Sequence, residues 1–181
     1  MLTPFGFLHK TAAGGSPTEY TMFEYATPAV ADETADPNPV RLGVHFSSSV
    51  AGSVTAIVFY KGSTAGGNSH TVGLYQTNNG TSGTTLATKA SSGETSTGWQ
   101  RVDFDTPVSI SAGTEYQAVV LWPGGRYPYT STFFTGGYSN GYFSCASNNG
   151  NYQYTGSIGL APFYNYYQDS NYFTDIVFVP S

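Results

Sequence analysis

Apolar and polar residues alternate along this chain in short runs of period two, and no helical periodicity is sustained for three turns. Val40, Leu42, Val44 and Phe46 alternate with Arg41, Gly43 and His45, which predicts a half-buried strand whose second face looks outward. Val54 to Tyr60 is apolar on both faces and predicts a central strand, entered through Ala51-Gly52 and left through Lys61-Gly62. Further strands are predicted over Thr71 to Gln76, Thr85 to Lys89, Trp99 to Phe104, Glu115 to Trp122 and Thr174 to Val179. Asn78-Asn79-Gly80, Ser92-Gly93 and Ala112-Gly113 separate them as turn formers that tolerate positive φ. This spacing predicts an all-β fold, an antiparallel, jelly-roll-like β-sandwich over residues 21–181, with Val44, Phe46, Ile57, Phe59, Val102, Phe104 and Phe178 in its core.

Two stretches break the pattern. Residues 1–20 hold Pro4, Gly6, Gly14, Gly15 and Pro17 and read as an extended N-terminal arm. Its Leu2, Phe5, Phe7 and Leu8 need cover, and are expected to anchor the chain to a neighbouring subunit; the alternative is an arm folded back on an edge of its own sandwich. Residues 123–173 carry ten of the fifteen tyrosines and only two charges, Arg126 and Asp169. Long loops with one or two edge strands are expected there, ordered by tyrosine packing.

Composition sharpens this picture. Charged residues are 9% of the 181, against a usual value of about 25%, and 22 Gly, 15 Tyr and 12 Phe exclude a charged disordered chain or a helical bundle. Six basic residues lie scattered among eleven acids, for a net charge of −5, so no phosphate-binding cluster exists and no nucleic-acid partner is expected. The apolar runs are too short for a membrane-spanning helix, and no membrane insertion is expected. The first ten residues lack the basic and apolar regions of a secretory signal, which leads to the expectation of a protein made in a cytoplasm and delivered by another route. Cys145 is the one cysteine and reads as a small buried thiol.

Candidate chemistry is sparse. His9, His45 and His70 are far apart and fit no metal or catalytic motif, and no nucleophile elbow or phosphate loop occurs. Asp103 and Asp105 are the obvious carboxylate pair for glycoside hydrolysis, but their i, i+2 spacing places both on the outward face of a strand. No catalytic residue is assigned and no enzymatic activity is expected. Asp32, Glu33 and Asp36 form the one acidic cluster and, with Asp175 from a neighbouring strand, make a candidate calcium site. Trp122, Arg126, Tyr127 and Tyr129 follow one strand through the Pro123-Gly124-Gly125 turn and are expected to gather at one end of the sandwich as a candidate sugar-binding surface. The competing reading is that these rings pack loops or a subunit interface.

A family resemblance is carried by Leu42-Gly43-Val44-His45-Phe46, Phe59-Tyr60-Lys61-Gly62, Leu86-Ala87-Thr88, Gly93-Glu94-Thr95, Gly98-Trp99-Gln100, Thr106-Pro107-Val108, Ala112-Gly113-Thr114-Glu115-Tyr116 and Asn171-Tyr172-Phe173-Thr174-Asp175-Ile176-Val177-Phe178. From about Phe23 to Val179 the chain resembles the domain of unknown function DUF4082, a β-sandwich module attached to many secreted bacterial proteins. The resemblance implies an accessory binding or spacer role beside glycan-active or adhesive domains. A member standing alone is expected to be a phage virion protein, a minor tail or tail-tip component that touches host-surface glycan and assembles with itself and other virion subunits. A capsid decoration protein and a secreted bacterial carbohydrate-binding module are the alternatives.

Overall fold

In the computed structural model, which describes residues 17–64, 69–78, 82–159 and 162–181, ten strands form two antiparallel sheets packed face to face. They are β1 (Val40–Ser48), β2 (Gly52–Lys61), β3 (Thr71–Asn78), β4 (Ser82–Ala90), β5 (Gly98–Ile110), β6 (Glu115–Trp122), β7 (Tyr138–Asn140), β8 (Phe143–Cys145), β9 (Gly150–Tyr154) and β10 (Thr174–Pro180). The larger sheet runs β4-β3-β6-β1-β8-β7, and β9 also pairs with β1; the smaller runs β10-β2-β5. The β-sandwich fold class is therefore as the alternation predicts. Among the described residues no helix is long and apolar enough to cross a membrane.

The core lies where the pattern puts it. Val44, Phe46, Ile57, Phe59, Val102, Phe104 and Phe178 are all buried and belong to one cluster with Leu42, Trp122 and Ile176. The strand after Trp99 runs further than alternation predicts, to Ile110, because it survives a bulge. Val54 pairs with Val108 and Ala56 with Asp103, so four residues of β5 loop out opposite Thr55. Pro107, which has no N–H for a ladder, sits in that bulge.

The outward face of β1 is a correction to the sequence reading. Arg41 and His45 do point away from the core, yet both are buried beneath Ile158, Phe163 and Tyr164, so β1 is covered on both sides. The polar side chains of this face hold the covering segment by its backbone. Arg41 donates to the Ile158 carbonyl at 2.6 Å and lies over the Phe163 ring at 4.5 Å. His45 Nε2 and Gln117 Nε2 both reach the Phe163 carbonyl, at 3.0 and 2.8 Å, and Tyr75 donates to Ile158 and Gly159. Buried polar groups are tolerated here because the irregular backbone above them needs donors and acceptors.

Residues 123–173 contain three short strands rather than one or two, β7, β8 and β9, too brief and too rich in Gly, Ser and Asn to show in the pattern. Aromatic packing orders the rest, as expected, with phenylalanine sharing the work: Phe23, Phe133, Phe134, Tyr138 and Phe173 form one network of tilted and edge-to-face rings. Of the expected arm, Glu19 accepts both Nη atoms of Arg101 and Tyr20 bridges Phe178, so its last residues lie on the sandwich itself. Leu2, Phe5, Phe7 and Leu8 fall outside the described residues.

Candidate binding surface

Strand β9 brings Tyr152 and Tyr154 to one face, two residues apart, with ring centroids 5.7 Å from each other. Register places them opposite Leu42 and Val40, at the end of β1 from which the chain enters the sheet. Two loops close over this end. Residues 127–130 are tied to Val30 and Asn171 by backbone bonds on either side, and Asn165 accepts the Tyr152 amide at 2.8 Å. Tyr127 and Tyr172 meet edge to face at 5.7 Å.

The result is a cleft of about 270 Å³ walled by Tyr127, Tyr152, Tyr154, Tyr167 and Tyr172. A second hollow of about 210 Å³ shares three of those tyrosines and adds Glu33, Tyr129, Gln168 and Ser170. Tyr154 and Tyr167 are more than half exposed, at 55% and 58%, whereas Tyr172 is buried against the core. Gln168 and Asp169 both have positive φ, at 51° and 49°, so the turn beside Tyr167 holds two non-glycine residues in a strained conformation. Asp169 fixes that turn by accepting the Asn148 amide at 2.6 Å.

Asp36 organises the tyrosines. Its Oδ2 accepts the hydroxyls of Tyr127, at 2.9 Å, and Tyr154, at 2.6 Å, while Oδ1 accepts the backbone and side-chain nitrogens of Asn38. Partial burial would raise its pKa, but the Tyr154 and Tyr127 hydroxyls and the Asn38 amides outweigh that and hold the carboxyl below its ordinary value. Burial and the same carboxylate push the Tyr127 hydroxyl up, and the Asp36 bond, then desolvation, push Tyr154 up to about 12. The site therefore presents neutral rings around an ionised acid.

The expected aromatic group divides. Tyr127 lines both hollows and Tyr129 the second, and Arg126, next to Tyr127 in the chain, is exposed with its backbone N–H on the Asp36 carbonyl at 3.0 Å. Trp122 is a correction: it is fully buried between the sheets, against Phe59 and His70, and has no surface to offer a ligand. The indole ends a strand on its inward face, where alternation continues from Ala118 and Val120. Tyr152, Tyr154, Tyr167 and Tyr172 were the residues to add, and the signal was the Tyr-Gln-Tyr spacing of a strand.

The candidate calcium set is also corrected. Asp32 binds the Thr64 amide, Glu33 the Ala35 amide and Asp36 the tyrosines, while Asp175 is fully buried on the amides of Met22 and Phe23. Among the described residues no three metal-ligating side chains come together. Glu33 and Asp36 accept nearby amides, of Ala35 and Asn38, while Asp32 and Asp175 accept amides from distant segments. Asp103 and Asp105 do face outward, on Arg101 and Lys89.

One polar cluster was not legible beforehand. Ser91, His70 and Glu94 meet with Lys61 where the strand ends of both sheets adjoin. It differs from a nucleophilic triad in its wiring: the Ser91 hydroxyl bonds Glu94 and the His70 carbonyl, not the imidazole, and all four side chains are buried. Burial lowers the His70 pKa despite Glu94, leaving a neutral ring. Cys145, as expected, is a buried free thiol, and burial raises its pKa.

No curated protein matches the chain. The model of a domain of unknown function, DUF4082, matches residues 25–174, which takes in nine of the ten strands whole and the first residue of the last, together with every residue of the tyrosine cleft. Over that span the chain belongs to the DUF4082 family.

Proposed function

We propose that this chain is a non-enzymatic component of a phage virion, a minor tail or tail-tip protein, which contacts host-surface glycan through the tyrosine-lined cleft. The observation that carries the binding half is the exposure of Tyr154 and Tyr167 at the rim of the cleft, with hydroxyls and a carboxylate beside them. Aromatic faces stack on the C–H faces of sugar rings, and the adjoining polar groups match hydroxyls. Two small hollows side by side suit consecutive rings of a chain better than one enclosed substrate. Asp103 and Asp105 are exposed on β5 and each is paired with a cation, Arg101 and Lys89, which supports a role without hydrolysis.

Retention on host cell-wall glycan tests the contact. Saturable, sugar-competed retention is expected, weakened about 30-fold by Tyr154→Ala or Tyr167→Ala if each anchor contributes about 2 kcal/mol. Retention that ignores both substitutions would refute it. Mass spectrometry of purified particles tests the setting: recovery with tail proteins is expected, recovery with the capsid shell would favour a decoration protein, and recovery only from culture medium would favour a secreted module.

A further inference from the structure

Resting on that reading, we infer that the cleft selects a glycan carrying ammonium groups over neutral or acidic glycans. Five tyrosines wall the cleft, and the faces of such rings are the negative ends of their quadrupoles. Among the described residues Glu33 is the one charged side chain lining the paired hollow, and Asp36 accepts the hydroxyls of Tyr127 and Tyr154. No cationic side chain among the described residues lines either hollow. Arg126, next to Tyr127 in the chain, is exposed, has its backbone N–H on the Asp36 carbonyl and lines neither hollow.

These features act together on charge. A sugar ring stacked on Tyr154 or Tyr167 gains the same contact whether it bears a hydroxyl, an acetamide or an ammonium. Only the ammonium gains from both the ring faces and the carboxylates, and an acidic sugar is repelled by them. Asp36 keeps its charge because two hydroxyls and the Asn38 amides solvate it, and Glu33 has one oxygen on the Ala35 amide and the other uncommitted among the described residues. The net charge of −5 adds a weak, salt-sensitive attraction at longer range.

The test compares the full chain with glucosamine oligomers, N-acetylglucosamine oligomers of equal length and oligogalacturonate, by calorimetry at low and moderate salt. At least tenfold tighter binding of the deacetylated oligomer is expected, with the advantage shrinking as salt rises. Glu33→Gln, which keeps the oxygen that bonds Ala35, is expected to narrow the ratio, and Tyr154→Ala and Tyr167→Ala each to weaken binding of both amino-sugar forms about 30-fold. Free glucosamine and free choline as competitors separate an amino-sugar ammonium from a choline substituent, and displacement by neither overturns the inference. Equal binding of the acetylated oligomer, or tighter binding of oligogalacturonate, overturns it while leaving glycan contact standing. Salt-sensitive binding that survives both tyrosine substitutions also overturns it, as general attraction. Absence of binding to all three oligomers and to host glycan removes this inference and the proposed contact together.

Discussion

The Met22 amide donates to Asp175 Oδ1 at 2.9 Å across 153 residues of sequence, and Phe23 donates to the second oxygen at 2.8 Å. The carboxyl is fully buried, so it ties the entering segment to the last strand where water cannot compete. Burial raises its pKa to about 7, and the amides of Phe23, Met22 and Ile176 only partly offset that. Between about pH 3.8 and about pH 7 the folded state therefore holds a proton that the unfolded chain has lost. Stability from this group is present in full below the unfolded value and is lost as pH rises through about 7.

Asp175→Asn is expected to remove that dependence and to cost about 1–3 kcal/mol, since its amide nitrogen would face a backbone N–H. Urea unfolding of both proteins between pH 4 and pH 8 checks it. Parallel curves across that range would show that Asp175 does not titrate there.

Glu94 has the opposite sign. Burial alone would raise it, but Ser91, the His70 amide and imidazole, and the Lys61 ammonium hold it at about 2. Its contribution is present above the unfolded value of 4.5 and is lost as pH falls through about 2. Glu94→Gln removes the charge that three buried neighbours bond, and is expected to cost about 3–5 kcal/mol near neutral pH, with the difference from wild type shrinking in acid. A substitution costing under about 1 kcal/mol would mean that the cluster is dispensable.

What could be read beforehand follows from which interactions are local. The Val40 alternation, the doubly apolar run to Tyr60 and the Glu115–Trp122 strand were legible because each pattern of side chains reports its own face. Alternation states only that His45 and Arg41 leave the core; it carries no information about Ile158 and Phe163 arriving to cover them. The same limit misplaced Trp122, whose position at a strand end suggested a rim although the opposite sheet extends over it through Phe59. In the cleft, Tyr127 and Tyr129 were found from their turn, while Tyr154, Tyr167 and Asp36 meet only through tertiary structure.

Trp122 and Tyr167 now predict different outcomes from the same substitution. Trp122→Ala opens a cavity among Phe59, His70 and the core and is expected to cost about 3–5 kcal/mol. Tyr167→Ala, at an exposed ring, is expected to stay within about 0.5 kcal/mol of wild type while losing glycan retention. Chemical denaturation beside a retention assay separates them. Comparable destabilisation by both would contradict the placement of the two rings.

Two glycines test whether the turn after Trp122 builds the cleft. Gly113 and Gly125 both have positive φ, 69° and 60°, so alanine is strained at either by about 1–2 kcal/mol. Their surroundings differ. A Cβ on Gly113 would meet nothing within 4 Å, whereas one on Gly125 would lie 2.2 Å from the Asp36 carbonyl oxygen and 2.8 Å from the Pro37 carbon. Backbone cannot yield as a side-chain tip does, so the segment carrying Asp36 must move away, adding about 1–3 kcal/mol of overpacking. That movement draws the carboxylate from Tyr127 and Tyr154, whose hydroxyls it accepts. Gly113→Ala is therefore expected to lower stability slightly and keep glycan retention, and Gly125→Ala to lower stability further and lose retention at temperatures where the protein is still folded. Calorimetric melting with a retention assay on the same samples checks both, and full retention by folded Gly125→Ala would show that the position of Asp36 does not govern the cleft.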